Sequence, residues 1–164
     1  MGMGKFIGAA AVAGVLIAGV FFFRPSASVG GVTPNVTLRD AYGTSVNLRD
    51  YRGQVVVLDF WASWCPPCIA AMPAMDRLYH RYASQGVVIF GVNVNDNRDP
   101  AQTMAELGVS YPLLVNGESA AQQFGVRGIP TIVVIGRDGK IQHLSSGWGP
   151  GKEAELERVI QGAL

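Results

Sequence analysis

The sequence predicts an α/β domain built around a mixed sheet. Two nearly unbroken apolar runs, residues 54–60 and 87–94, suit strands covered on both faces. Helix-forming stretches separate the strands, and the chain closes with a strand, a tight turn, a second strand and a helix. At 164 residues it holds one well-cored domain plus a short appendage.

Taken in order, residues 35–38 and 44–48 flank the turn-forming Asp40, Ala41, Tyr42 and Gly43, and read as an N-terminal hairpin. Tyr51, Arg52 and Gly53 turn the chain into the first buried strand. A helix is expected over residues 66–83, because Pro66 and Pro67 fall in its first turn, where backbone amides have no intrahelical partner to lose. Pro73 lies inside that helix and should kink it. Gln85 and Gly86 turn into the second buried strand. Asp99 as N-cap, Pro100 at the first helical position and Gln102 at the capping-box position then start a helix that runs to Leu107. A short strand at 113–115, a short helix at 119–124 and a buried strand at 131–135 follow. Arg137, Asp138, Gly139 and Lys140 form a hairpin turn into residues 141–145. In the last segment Leu156, Val159, Ile160 and Ala163 share one helical face.

Charge excludes one class of partner. The chain has 13 basic and 12 acidic residues, with no basic run or face of the kind that nucleic acid requires. Mean hydropathy is +0.24 and 49% of residues are apolar, values raised by the N-terminal end. Residues 6–23 are uncharged and mostly apolar, between Lys5 and the amino terminus on one side and Arg24 on the other. That length suits a membrane-crossing helix. Residues 1–24 therefore read as a signal anchor, 25–35 as a tether rich in small residues, Pro and Gly, and 36–164 as the domain. A cleaved signal peptide is the second reading, since Ser26, Ala27 and Ser28 offer small residues to a peptidase. In the anchored reading, Lys5 and the amino group favour a cytoplasmic N-terminus, which leaves the domain on the extracytoplasmic, periplasmic side of the membrane.

The chain has only two cysteines, in Trp64-Cys65-Pro66-Pro67-Cys68. A bridge across two intervening residues restricts the unfolded chain little, so the pair suits chemistry better than bracing. Cys65 follows a buried strand and opens a helix, where free amides and the positive helix end stabilise a thiolate. Cys65 is expected to attack, and Cys68, one turn inward and more buried, to resolve the mixed disulfide. Pro66 and Pro67 stiffen the loop between them. A structural zinc half-site is the competing reading, but neither His80 nor His143 lies in a second closely spaced ligand pair. No metal and no cofactor beyond the redox disulfide are expected. Asp59 stands in an otherwise apolar strand. It is either a strand-end carboxylate that turns to water or a buried base that exchanges a proton with Cys68.

The run Leu58-Asp59-Phe60-Trp61-Ala62-Ser63-Trp64-Cys65-Pro66-Pro67-Cys68 resembles thioredoxins closely. With the N-terminal apolar segment, the hairpin and the helical insertion after Gly91-Val92-Asn93-Val94, the chain resembles the TlpA/ResA-like branch across residues 36–164. These are membrane-anchored, extracytoplasmic thioredoxin-like proteins, several of which reduce disulfides during cytochrome c maturation. The resemblance implies a thioredoxin-like fold with a central helical insertion. It also implies a cis peptide bond between Ile129 and Pro130, in a loop that packs on the cysteines and hydrogen-bonds an extended substrate. Trp64, Pro66, Pro67, Ile129 and Pro130 are then the substrate-binding residues. One departure stands out: where many members of the branch carry Glu three residues after the second cysteine, this chain has Ala71, and its buried acid is Asp59.

The function expected is reduction of protein disulfides by a monomer, with apocytochrome c as the substrate that the resemblance implies and a membrane thiol-disulfide protein as electron donor. The alternatives are a disulfide oxidase or isomerase, or a copper-binding metallochaperone module that uses the two thiols with Met72, Met75 or a histidine. Those methionines read more simply as core residues, His80 and His143 as surface residues, Trp61 and Trp64 as packing around the site, and Trp148 has no assigned role.

Overall fold

The computed structural model describes residues 27–164, so the proposed anchor at 1–24 lies outside the described residues. Among those described, no helix is long and apolar enough to cross a membrane. Seven strands form one sheet: β1 Thr37–Asp40, β2 Ser45–Asn47, β3 Val55–Trp61, β4 Val87–Asn93, β5 Leu113–Val115, β6 Thr131–Ile135 and β7 Ile141–Ser146. Among the described residues four α-helices accompany them: α1 Pro66–Tyr82, α2 Pro100–Glu106, α3 Glu118–Phe124 and α4 Lys152–Ala163.

The strand order is β2-β1-β5-β4-β3-β6-β7. β3 runs parallel to β4 and antiparallel to β6, so the sheet is mixed, as the sequence predicts. The fold is thioredoxin-like, with helices on both faces and α2 as the central insertion between β4 and β5. Every residue of β3 is buried, and the strand's period of two divides the core. Val55, Val57 and Trp61 pack with Cys68, Ala71, Met72 and Leu78 of α1 and with Leu156 and Ile160 of α4. Val56, Leu58 and Phe60 pack on the other face with Phe90, Phe124 and Leu38.

Local chemistry accounts for most boundaries. β1 begins at Thr37 and runs through Asp40, later than the expected 35–38, because Asp40 closes the strand and also anchors the turn. Asp40 Oδ1 accepts from the Tyr42 and Thr44 amides, and Gly43 takes the left-handed φ of 86° that the turn requires. Pro73 sits inside α1 without ending it, and the helix stops at Tyr82, followed by a short 3₁₀ turn and a left-handed Gly86. Asp99 caps α2 by accepting from Ala101 N–H at 2.9 Å. The capping box does not form: Gln102 Nε2 instead donates forward to Glu106 Oε1 at 2.9 Å, its neighbour one turn along the exposed face.

Part of the expected tether is bound to the domain. Gly30 N–H donates to the Ile141 carbonyl at 2.7 Å, Ile141 N–H to Gly31, and Thr33 N–H to Gly139. This segment covers the start of the edge strand β7, where unpaired backbone groups favour an extended partner. It does so at the end of the sheet remote from the cysteines, since Ile141 pairs with Ile135 and Ile135 pairs with Val56, at the end of β3 away from Trp61.

Candidate active site

Cys65 is the N-cap of α1, with φ −100° and ψ 100°, and Cys68 sits in the first turn. The two are joined as a disulfide, and Cys65 Sγ accepts the Cys68 N–H at 3.3 Å. Cys65 retains 4% exposure and Cys68 none, which suits the roles expected of them. Trp64, Pro66 and Pro67 are exposed around Cys65 and form its rim. Pro66 and Pro67 occupy the first two helical positions and carry no N–H. The helix start therefore offers the Cys65 sulfur a backbone donor at Cys68 and none at the two positions before it.

The loop that presents Cys65 is held by a carboxylate that the sequence did not single out. Asp96, just after β4, accepts from Ser63 N–H and from the Ser63 hydroxyl, each at 2.6 Å, and from Asn93 Nδ2 at 2.9 Å and Arg98 N–H at 3.1 Å. Partial burial by itself would raise its pKa, but these hydrogen bonds overcome that and lower it to about 2. Trp64 Nε1 donates to the Asn95 carbonyl at 2.9 Å, so the same turn fixes the indole with 56% of the residue exposed. A cluster of turn-forming residues, Asn93 to Asn97, is the sequence signal, but it names no partner 33 residues away.

Asp59 is fully buried between Val57 and Trp61 on the face of β3 that meets α1. That removes the reading in which it turns to water. Burial raises its pKa to about 7, partly offset by a hydrogen bond from the Tyr111 hydroxyl to Oδ2 at 3.4 Å. Among the described residues its Oδ1 has no hydrogen-bond partner, and neither does Trp61 Nε1.

The Ile129–Pro130 peptide bond is cis. Pro130 is buried, and its carbonyl accepts Gly147 N–H at 2.8 Å, while Thr131 Oγ1 bonds the Gly128 carbonyl and Ser146 Oγ. Ile129, Ile69 and Trp148 pack against the apolar cluster that contains both cysteines. Trp148, unassigned from sequence, is thus part of the surroundings of the site.

The remaining candidates fall elsewhere. Met72 and Met75 are fully buried core residues. His80 is exposed and bonds Ser110 Oγ at 2.8 Å. His143 departs from its expected surface position: its side chain is only 21% exposed, bonded to Ser145 and 3.7 Å from Glu155 on α4. Among the described residues no group of three or more His, Cys, Asp or Glu side chains could hold a metal ion.

This arrangement has known counterparts. The AhpC/TSA family profile matches residues 29–144. The thiol-disulfide oxidoreductase ResA of Geobacillus thermodenitrificans is 34% identical over 140 residues, covering 84% of this chain and 80% of its own. ResA of Bacillus subtilis is 33% identical over 130 residues, covering 78% and 73%. Among solved structures, a thiol:disulfide interchange protein from Bacteroides is 26% identical with a TM-score of 0.72, covering 85% of this chain and 94% of its own. The thioredoxin domain of a thiol-disulfide oxidoreductase from Bacteroides vulgatus has a TM-score of 0.71 at 25% identity, covering 82% and 99%. With a helix-capping cysteine pair on a thioredoxin-like sheet, the chain belongs to the AhpC/TSA family and is one of its ResA-like thiol-disulfide oxidoreductases.

Proposed function

We propose that this protein works as a reductant of protein disulfides outside the cytoplasm. The observation that carries the direction is the pair of prolines at the start of α1. A strong disulfide oxidant is one whose reduced form is stabilised, which requires a well-solvated thiolate. Pro66 and Pro67 remove two of the amides that would solvate Cys65, so the reduced state gains less and the pair gives up electrons more readily.

In the reaction the Cys65 thiolate attacks one sulfur of the substrate disulfide, and the other sulfur leaves with the bond's electron pair and takes a proton. Cys68 passes its proton to Asp59 and attacks Cys65 Sγ. The second substrate sulfur departs, leaving the Cys65–Cys68 disulfide. Asp59 serves as the buried base, and its pKa of about 7 lets it accept and return a proton near neutrality. Trp64, Pro66, Pro67 and Ile129 with Pro130 are the surfaces against which an extended substrate lies. A membrane dithiol donor returns two electrons and two protons.

The substrate we favour is the Cys-x-x-Cys-His segment of apocytochrome c, in keeping with the TlpA/ResA-like resemblance. Residues 1–24 serve as the anchor. Ala27 lies beside Gln123 near the C-terminal end of α3, whereas Glu118 at the start of that helix accepts from Asn95 N–H.

Equilibration of the purified protein with a reference thiol couple should give a potential near the roughly −270 mV of thioredoxin; a value near the roughly −120 mV of a strong oxidant would overturn the direction. Cys68→Ser in cells should trap substrates on Cys65. Recovery of apocytochromes supports the maturation role, and a broad set of exported proteins replaces it with general disulfide reduction.

A further inference from the structure

The buried acid has a partner that its own motif does not contain. We propose that Tyr111 is a positioning residue for Asp59: its hydroxyl holds Oδ2 and leaves Oδ1 as the oxygen that exchanges a proton with Cys68. This rests on the reading of Asp59 as the base.

The geometry is specific. Tyr111 lies in the segment before β5, is 2% exposed and belongs to the apolar cluster that contains Cys68. Its hydroxyl donates to Asp59 Oδ2 at 3.4 Å, whereas Oδ1 has no partner among the described residues. A carboxyl group with one oxygen tied down cannot rotate freely, so its other oxygen keeps one orientation. Gly91 makes the approach possible. It stands opposite Asp59 in the β3–β4 register, and a Cβ there would lie 2.9 Å from Tyr111 Cε2 and 3.0 Å from Trp61 Nε1. The absent side chain leaves space beside the acid that the phenol edge and the indole fill.

The other groups facing Asp59 do not supply this contact. α1 contributes Cys65 and Cys68, joined to each other, with Asp76 acting on Tyr111 from further along the helix. β4 presents Gly91 and β6 presents Ile132 at the paired positions. Burial first, then the Asp59 charge, raises the Tyr111 pKa well above its ordinary value, so the phenol remains a donor throughout the working pH range. A donor to the charged form of Asp59 favours ionisation, and its loss must disfavour it.

In the resolving step the Cys68 proton moves to Asp59 Oδ1, and the Cys68 sulfur forms a bond to Cys65 Sγ. The Cys65–substrate bond breaks, with its electron pair leaving on the substrate sulfur. The rate therefore follows the ionised fraction of Asp59.

The test uses the full chain, with the second thiol release from an aromatic disulfide reagent followed against pH, and the Asp59 carboxyl carbon titrated by NMR. In Tyr111→Phe both profiles should move to higher pH, slowing resolution about three- to tenfold below neutrality and restoring it in alkali. Gly91→Ala, which pushes the ring aside, should shift them the same way. Coincident profiles for Tyr111→Phe and wild type, with the limb abolished in Asp59→Asn, would sink the role of Tyr111 and leave Asp59 as base. A limb that survives in Asp59→Asn overturns that reading of the acid and this inference with it.

Discussion

Asp59 is the one charged residue of β3, and it lies fully buried in an apolar core. Its presence carries a thermodynamic cost of definite sign. The folded-state pKa of about 7 lies above the ordinary 3.8, so between those values the folded chain keeps a proton that the unfolded chain has released. Stability from this group therefore falls as pH rises through that window. Asp59→Asn should match the wild type near pH 3 and exceed it by about 2–4 kcal/mol near pH 8, measured by chemical denaturation, while resolving mixed disulfides more slowly. The prolines act on Cys65 in a comparable way. Pro67→Ala returns an amide to the second position of α1, close to the capping sulfur. Its Cys65 thiol should titrate lower, and the potential should rise by about 30 mV for each tenfold stabilisation of the reduced form, read by thiol alkylation against pH and by glutathione equilibration.

Between elements, the decisive contact is the turn after β4 gripping the loop before α1. Asp96 ties Ser63 by two bonds, and the Asn95 carbonyl holds Trp64. Asn95 N–H in turn donates to Glu118 at the start of α3. The cysteine loop is thus braced by β4 and α3 as well as by its own strand. Asp96→Asn loses an acceptor for Ser63 and should destabilise the fold by about 1–2 kcal/mol near neutral pH. Because the Asp96 pKa is lowered from 3.8 to about 2, its charge stabilises above that range and ceases to do so as pH falls through it. The gap between variant and wild type should therefore close in acid, which denaturation curves taken at several pH values would show.

In the complete fold, much was legible in the order of residues because it depends on near neighbours. The apolar runs specified β3 and β4, the prolines and Asp99 specified helix starts, and the cysteine pair was placed correctly between strand and helix. Buriedness along β3 even implied that Asp59 was unusual. Family resemblance supplied the cis bond before Pro130, which local sequence does not encode. What required the tertiary structure is what depends on residues distant in sequence. Tyr111 reaches Asp59 across 52 residues and Asp96 reaches Ser63 across 33, and no periodicity marks either pair. The docking of residues 30–33 along the start of β7 and the turn before it is not legible in sequence, because small, flexible residues look like a linker until an open strand edge lies beside them. The redox pair and its position follow from local propensity and burial pattern. The groups that contact Asp59 and brace the cysteine loop follow from how the sheet is ordered, since only the packed sheet brings their atoms within hydrogen-bond range.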